Sequence, residues 1–123
     1  MNDIWRWDGV DWVDVSPAGP RPPAGWALGL TYDSIRDTNI TFGGDESVCG
    51  LTGQTWEFDG DAWTQLVLAN SPTPRKGQAM DYDTARDRIV IFGGAAGGGC
   101  AITSDETWEL GLLSCSPAGA GGR

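Results

Sequence analysis

The stretch "DYDTARDRIVIFGG" runs from Asp81 to Gly94, and "TYDSIRDTNITFGG" runs from Thr31 to Gly44. Laid one on the other, Tyr32, Asp33, Arg36, Asp37, Phe42, Gly43 and Gly44 meet Tyr82, Asp83, Arg86, Asp87, Phe92, Gly93 and Gly94 at a constant offset of 50 residues. A fixed period of this size marks stacked supersecondary units, and it governs how every shorter motif is read. A second module keeps nearly the same step. "WRWDGVDW" begins at Trp5, "WEFDGDAW" at Trp56, and "TWEL" places a third copy at Trp108. Those steps are 51 and 52 residues. The added residues fall between the glycine pair and the tryptophan, where a loop tolerates insertion.

Each module reads as β structure. "NITF" (Asn39–Phe42) alternates, and "IVIF" (Ile89–Phe92) is apolar throughout, as in a strand buried on both faces. Around Trp56, the aromatic residues Trp56 and Phe58 flank Glu57, then Asp59-Gly60 precedes Trp63. Asp-Gly between two such runs, repeated at Asp8-Gly9, predicts a type I′ hairpin turn with positive φ at both central residues. The aspartates of "YDSIRD" suit a turn of four or five residues. Nothing sustains a 3.6-residue period, and glycine and proline interrupt every stretch, so no helix is expected. Each unit then holds four short strands, a to d. Strand a ends near Tyr32 or Tyr82, strand b is "NITF" or "IVIF", strand c holds Trp56 or Trp108, and strand d holds Trp63. One four-stranded antiparallel sheet per unit is the expectation for a β-propeller blade.

These residues resemble the kelch repeat. A strand ending in a glycine pair, a tryptophan a dozen or so residues later, a D-G hairpin and a period near 50 residues occur together. "SPTPRKGQAMDYDTARDRIVIFGG" (Ser71–Gly94) is the closest match, and its "Y-D-x-x-R-D" segment is similar to the bacterial form of the repeat and to galactose oxidase-type propellers. The structural motif residues under this resemblance are Tyr32, Gly43, Gly44, Trp56, Asp59, Gly60, Trp63, Tyr82, Gly93, Gly94 and Trp108. WD-type repeats are shorter, at about 40–45 residues, and the single Trp7-Asp8 dipeptide does not rescue them. Two positions depart from the family. Gln78 and Leu28 stand where it often carries Gly-His, and Arg75 aligns with Gly25 in the first copy, which makes the first unit the more degenerate one.

The expected architecture is all-β, a partial kelch-type propeller over residues 3–113. Strands c and d lie in 3–15, a full blade in 26–68, and strands a, b and c in 77–112. That gives about two four-stranded antiparallel sheets. Residues 114–123, rich in glycine and alanine, read as a disordered tail without a strand d. Propellers close with about four to eight blades. Two blades alone would leave apolar faces and sheet edges open. The chain is then a piece of a longer propeller, a copy in a homo-oligomeric ring, or an open pair of blades.

Composition closes several routes to function. The 123 residues are enough for one domain at most. Eight basic residues against 17 acidic ones give a net charge of −9. Such a field repels polyanions, so nucleic acid and anionic membranes are not expected partners. There is no histidine, which removes Ser-His-Asp and Cys-His nucleophile activation, an imidazole general base and His-ligated zinc. No secretory signal is visible at "MNDIWRW", and no stretch approaches the roughly 18 apolar residues that span a bilayer. Nothing in the sequence fixes a compartment.

The residue clusters each have a plain structural reading. The glycines of "IVIFGGAAGGGC" (Ile89–Cys100) lack the lysine of a phosphate-cradling loop and precede no helix, so they are not a nucleotide fingerprint. They read instead as a close backbone approach at Gly93-Gly94, repeated from Gly43-Gly44, followed by a flexible b–c loop. Trp5, Trp56 and Trp108 recur at one place and are expected to pack between blades. Trp26 does not recur and is the better candidate for surface stacking. Asp45-Glu46 and Asp105-Glu106 lack a calcium-loop spacing and read as solvated charge. Arg36-Asp37 and Arg86-Asp87 suit ion pairs within a turn or between blades. Cys49 and Cys100 occupy equivalent b–c loops, and spacing leaves every pairing with Cys115 open.

The function expected is a non-catalytic binding module with no cofactor and no metal. Its partner is a protein or a glycan, met by the b–c loops at 45–54 and 95–106. The alternative is a fragment of a larger propeller enzyme or carbohydrate-binding protein of the galactose oxidase kind, inactive by itself. Copper sites of that kind use histidines, which this chain does not have, and a shared fold does not transfer an activity.

Overall fold

A computed structural model describes residues 2–97 and 100–111 and the backbone of 115–117. The described chain is all-β and has no helix. A hairpin opens it, β1 (Trp5–Trp7) paired with β2 (Trp12–Asp14). A four-stranded antiparallel sheet follows in the order β3 (Gly29–Asp33), β4 (Thr38–Phe42), β5 (Thr55–Phe58), β6 (Trp63–Leu66). Next come β7 (Arg75–Lys76), β8 (Ala79–Asp83), β9 (Arg88–Phe92), β10 (Ala95–Ala96), β11 (Ile102–Thr103), β12 (Thr107–Leu110) and β13 (Cys115–Pro117). Of these, β8, β9, β12 and β13 build the second four-stranded sheet, whereas β7, β10 and β11 form a small sheet of their own.

The repeat is visible in the register. Tyr32 faces Asn39 across β3 and β4, and Tyr82 faces Ile89 across β8 and β9. Trp56 faces Thr41, and Trp108 faces Ile91. Even the small sheet has a counterpart, because Asp45 forms bridges to Trp26 and to Leu51 where Ala95–Ala96 pairs with Arg75–Lys76 and Ile102–Thr103.

The "Y-D-x-x-R-D" turns have one construction in both copies. The first aspartate accepts two backbone N–H bonds, from Ile35 and Arg36 to Asp33 at 3.0 Å and from Ala85 and Arg86 to Asp83 at 3.1 Å. The second aspartate takes the left-handed conformation, φ 57° at Asp37 and 53° at Asp87, which aspartate tolerates better than most residues. It accepts the tyrosine hydroxyl, at 2.6 Å from Tyr32 and 2.8 Å from Tyr82.

Two expectations about the backbone need correction. The D-G hairpins are not type I′, since only Gly9 and Gly60 have positive φ and Asp8 and Asp59 do not. The aspartate carboxylate shapes the turn instead, accepting the N–H groups of Val10 and Asp11 at 2.8 Å in one copy and of Asp61 and Ala62 at 2.9 Å in the other. The stretch after 114 is not wholly without strand either. Residues 115–117 pair with β12, Leu110 opposite Cys115, because the outer edge of β12 offers unpaired backbone groups that any extended segment can satisfy. The rest of the expected tail lies outside the described residues.

Apolar burial falls into two zones. Ile40 and Phe42 on the first sheet and Ile89 and Ile91 on the second are all nearly inaccessible, and β3 and β8 come into contact. On the far face of the first sheet, Trp56, Phe58 and Trp63 form a cluster against which Ile4 packs. Phe58 and Trp63 are tilted, with ring centroids 5.1 Å apart. Trp5 does not share this burial. It is 51% exposed, as are Trp7 and Trp12 at 51% and 62%, which corrects the expectation of packing at that copy. Trp56 belongs to a cluster closed by Ile4, whereas Trp5 borders an open concavity.

The sheets are pinned by Arg36. Its guanidinium meets both carboxylate oxygens of Asp87 at 2.8 Å and Asp33 Oδ2 at 2.6 Å. This is the intra-turn and inter-sheet ion pair at once, a planar fork gripping a carboxylate. Its repeat equivalent, Arg86, bonds Asp83 at 2.8 Å and Glu109 at 2.6 Å within its own sheet.

Two measurements check this packing. Trp56→Ala is expected to cost about 3–5 kcal/mol in urea unfolding, and Trp5→Ala to stay within about 0.5 kcal/mol. Equal losses would contradict the burial assigned to the two copies. The second concerns acid. Arg36, and after it the Tyr82 hydroxyl, hold the Asp87 carboxyl down at about 2. The folded value lies below the unfolded value of about 3.9, so the stabilisation is complete above about pH 5 and is lost as pH falls through about 2. Arg36→Gln should therefore show a flatter fall in stability from pH 5 to pH 2 than the parent chain; parallel curves would remove the pair as the acid-sensitive contact.

Candidate functional site

The turns that hold Arg36 and Asp87 lie at one end of the two sheets, and the loops after the glycine pairs lie at the other. At this second end the backbone of one repeat crosses the other at close range. A Cβ on Gly43, where φ is 71°, would run into the Arg75 carbonyl oxygen. Gly44 donates its N–H to that same carbonyl at 2.9 Å, and Gly77 donates to the Ala27 carbonyl at 2.8 Å. Gln78 Nε2 donates to the Phe42 carbonyl at 2.7 Å. Gly93 and Gly94 repeat the positive φ at 72° and 96°. The expected role of the glycine pairs, a close approach of two backbones, is therefore met at Gly43-Gly44 by named atoms.

Side chains tighten this crossing. Lys76 Nζ meets Asp45 Oδ2 at 2.5 Å, and Asp45 is only 1% exposed. The ammonium holds the Asp45 carboxyl below its ordinary range, and the carboxylate raises Lys76 in return. Arg75 is fully buried. Its Nε donates to the Thr73 carbonyl at 3.1 Å, Nη1 to the Gly93 carbonyl at 3.0 Å and Ser104 Oγ at 3.3 Å, and Nη2 to Thr73 Oγ1 at 3.0 Å and Glu106 Oε2 at 2.7 Å. Every donor of the fork is engaged, which is what burial of a guanidinium requires. Glu106 also accepts the Trp108 indole N–H at 3.2 Å, and Arg75 is the leading cause of its lowered pKa.

Above this base the loops at 45–54 and 95–106 emerge side by side, the second described outside residues 98 and 99. Val48 is 94% exposed, Ile102 61% and Trp26 55%. Glu46, Asp105 and Glu106 are exposed acids of the same two loops. Cys49 and Cys100 are half-buried free thiols in the two loops, close enough to influence each other's titration. The loops thus carry exposed apolar and acidic side chains above a hydrogen-bonded base. They offer no imidazole, and among the described residues no cluster of three or more potential metal ligands occurs.

The chain matches no family model and no curated protein. Its function is therefore argued from the geometry. The motif residues read from the sequence divide cleanly. Gly43, Gly44, Gly93 and Gly94 underlie the loop end. Tyr32 and Tyr82 hold the opposite turns, and Asp59 and Gly60 form an exposed hairpin tip. Trp56 and Trp63 are core, and Trp108 is half-buried. The three repeated tryptophans share one local contact whatever their burial. The indole N–H donates to the side chain two residues earlier, to Asp3 at 2.7 Å, Gln54 at 2.8 Å and Glu106 at 3.2 Å. Sequence reading missed Arg75 and Lys76 as ties of the site. Their only signal is that "PRKG" interrupts a chain otherwise poor in basic residues.

A second concavity of about 570 Å³ opens between the hairpin and the first sheet, lined by Ile4, Trp5, Leu28, Leu30, Asp37 and Phe58 among others. Leu30 is 57% exposed on that side.

Arg75→Met should cost about 2–4 kcal/mol, because it strips buried carbonyl and hydroxyl acceptors of a charged donor. Urea unfolding reads the loss, and a change under about 0.5 kcal/mol would show that the loop end does not rest on this side chain.

Proposed function

We propose that the chain is a non-catalytic interaction module of the kelch kind, its two four-stranded sheets being propeller blades and its b–c loops the docking surface. What carries the reading is the pairing of a rigid base with exposed apolar tips. Lys76–Asp45 and the buried Arg75 immobilise the roots of both loops, and Trp26, Val48 and Ile102 project beyond them. Preorganised loops lose little entropy on binding. An apolar centre ringed by polar groups is the usual anatomy of a docking patch. The acids Glu46, Asp105 and Glu106 favour a protein partner with an apolar contact and a basic rim. The period near 50 residues, the glycine pairs and the sheet order favour blades over any other antiparallel arrangement. The Arg36–Asp87 fork is then the tie between neighbouring blades.

A glycan is the second reading, and Trp26 is the observation that favours it. An indole more than half exposed beside carboxylates is the kind of platform on which a sugar ring stacks.

The test uses the full chain carrying Trp26→Ala, Val48→Asp and Ile102→Asp together, at an unfolding temperature within about 2 °C of the parent. A partner cross-linked by the parent chain is expected to bind the triple variant at least tenfold more weakly, and its affinity for the parent to fall as salt rises. Unchanged affinity would move the docking surface elsewhere. A glycan array that lights up with the parent and goes dark with Trp26→Ala alone would select the sugar in place of the protein.

A further inference from the structure

We propose that Cys49 and Cys100 are a modification site, joined by a reversible intramolecular disulfide that straps the loop at 45–54 to the loop at 95–106. The geometry for it is already in place. The two residues sit in equivalent loops of the repeat, both in the left-handed conformation, with φ 60° at Cys49 and 54° at Cys100. Cys49 lies inside a turn closed by the Gly50 N–H to the Ser47 carbonyl at 2.9 Å, and Cys100 closes its own turn with its N–H to the Gly97 carbonyl at 3.2 Å. Both are free and half-buried, so a small reagent can reach them. The two thiols are close enough to influence each other's titration. The Lys76–Asp45 bridge and the Arg75 carbonyl hold the roots of the two loops together.

The oxidant is a low-molecular-weight disulfide of the glutathione class. One protein thiolate attacks it, forms a mixed disulfide and expels one small thiolate, which takes up a proton. The neighbouring protein thiol gives up its proton and attacks the mixed disulfide, and the second small thiolate leaves. The two protein thiols lose two electrons and two protons, and the small disulfide becomes two thiols. Lys76, Asp45 and the partner thiol are the titratable groups facing Cys49. The neighbouring Cys100 thiol, and after it burial, hold the Cys49 thiol above its ordinary value. The exchange therefore runs slowly near neutrality and faster as the pH is raised.

The strap would matter most at the surface proposed for docking, yet it stands independently of that proposal. Its chemistry is read by mass and not by binding. The full chain is oxidised with glutathione disulfide, denatured and digested with trypsin. Cleavage after Arg75, Lys76, Arg86 and Arg88 separates Cys49 from Cys100, so the two peptides stay together only through a disulfide. Cys100 and Cys115 share the peptide 89–123, so the digest is repeated on Cys115→Ser. The expected result is a linked pair lighter by two hydrogens, released by dithiothreitol, present in both chains and absent from Cys49→Ser. The unfolding temperature of the oxidised chain should rise by roughly 5–15 °C. Full alkylation of both thiols after oxidation, stable glutathione adducts without a link, a bridge that needs Cys115, or a bridge between two chains would each overturn the proposal.

Discussion

The contact on which the rest depends is a backbone crossing. The Arg75 carbonyl lies against Gly43 so closely that no side chain fits between them, and it accepts the Gly44 N–H. Once that crossing is fixed, the chain leaving Arg75 enters β8 beside β3, and the second sheet is laid against the first at one offset. Gln78 then reaches the Phe42 carbonyl, and Lys76 reaches Asp45. The same crossing sets the two loops after the glycine pairs next to each other. A Cβ at Gly43 would separate the strands and the loops together, so the architecture and the candidate surface have a common origin.

The polar contacts between the sheets act on register more than on bulk stability. Apolar burial between Ile40, Phe42, Ile89 and Ile91 draws the sheets together without direction. A two-pronged Arg36–Asp87 pair at one end and the Lys76–Asp45 pair at the other are directional, and each would be lost by a slip of one residue. Arg75 extends this logic inward. Its guanidinium is surrounded by acceptors from three separate segments, Thr73, Gly93 and the Ser104–Glu106 stretch. A charge buried in this way is tolerated only in the arrangement that supplies all of those partners.

Much of the fold was legible in the sequence, because its signals are local. The offset of 50 residues, the alternation in "NITF", the aspartates of the turns and the glycine pairs each state a backbone conformation within a few residues, and β3, β4, β5, β6, β8, β9 and β12 lie where those signals put them. The failures are equally informative. Asp8-Gly9 and Asp59-Gly60 carry a hairpin signal that two geometries satisfy, and the carboxylate bonds selected the one with a single positive φ. The pairing of Cys115–Pro117 has no pattern of its own and comes from a free edge on β12. The burial of Arg75 was not legible at all, since it rests on acceptors up to 31 residues away in sequence.

The tryptophans separate what a repeat encodes from what it does not. Trp5, Trp56 and Trp108 each donate to the side chain two residues before them, so this contact is written into the unit. Their burial differs from exposed to nearly complete, because burial is decided by whatever unit lies alongside. Arg36 and Arg86 diverge in the same way. Both bond the aspartate that opens their own turn, but Arg36 goes on to Asp87 in the neighbouring sheet and Arg86 folds back to Glu109. A repeated sequence thus fixes the half of each interaction that lies within a unit, and the position of the unit in the stack fixes the other half. Surfaces that face no described neighbour, such as the Trp7–Trp12 pair with centroids 5.6 Å apart, carry the composition of an interior without its packing. For that reason composition alone cannot tell a core tryptophan from a surface one in this chain, whereas the register of the sheets can.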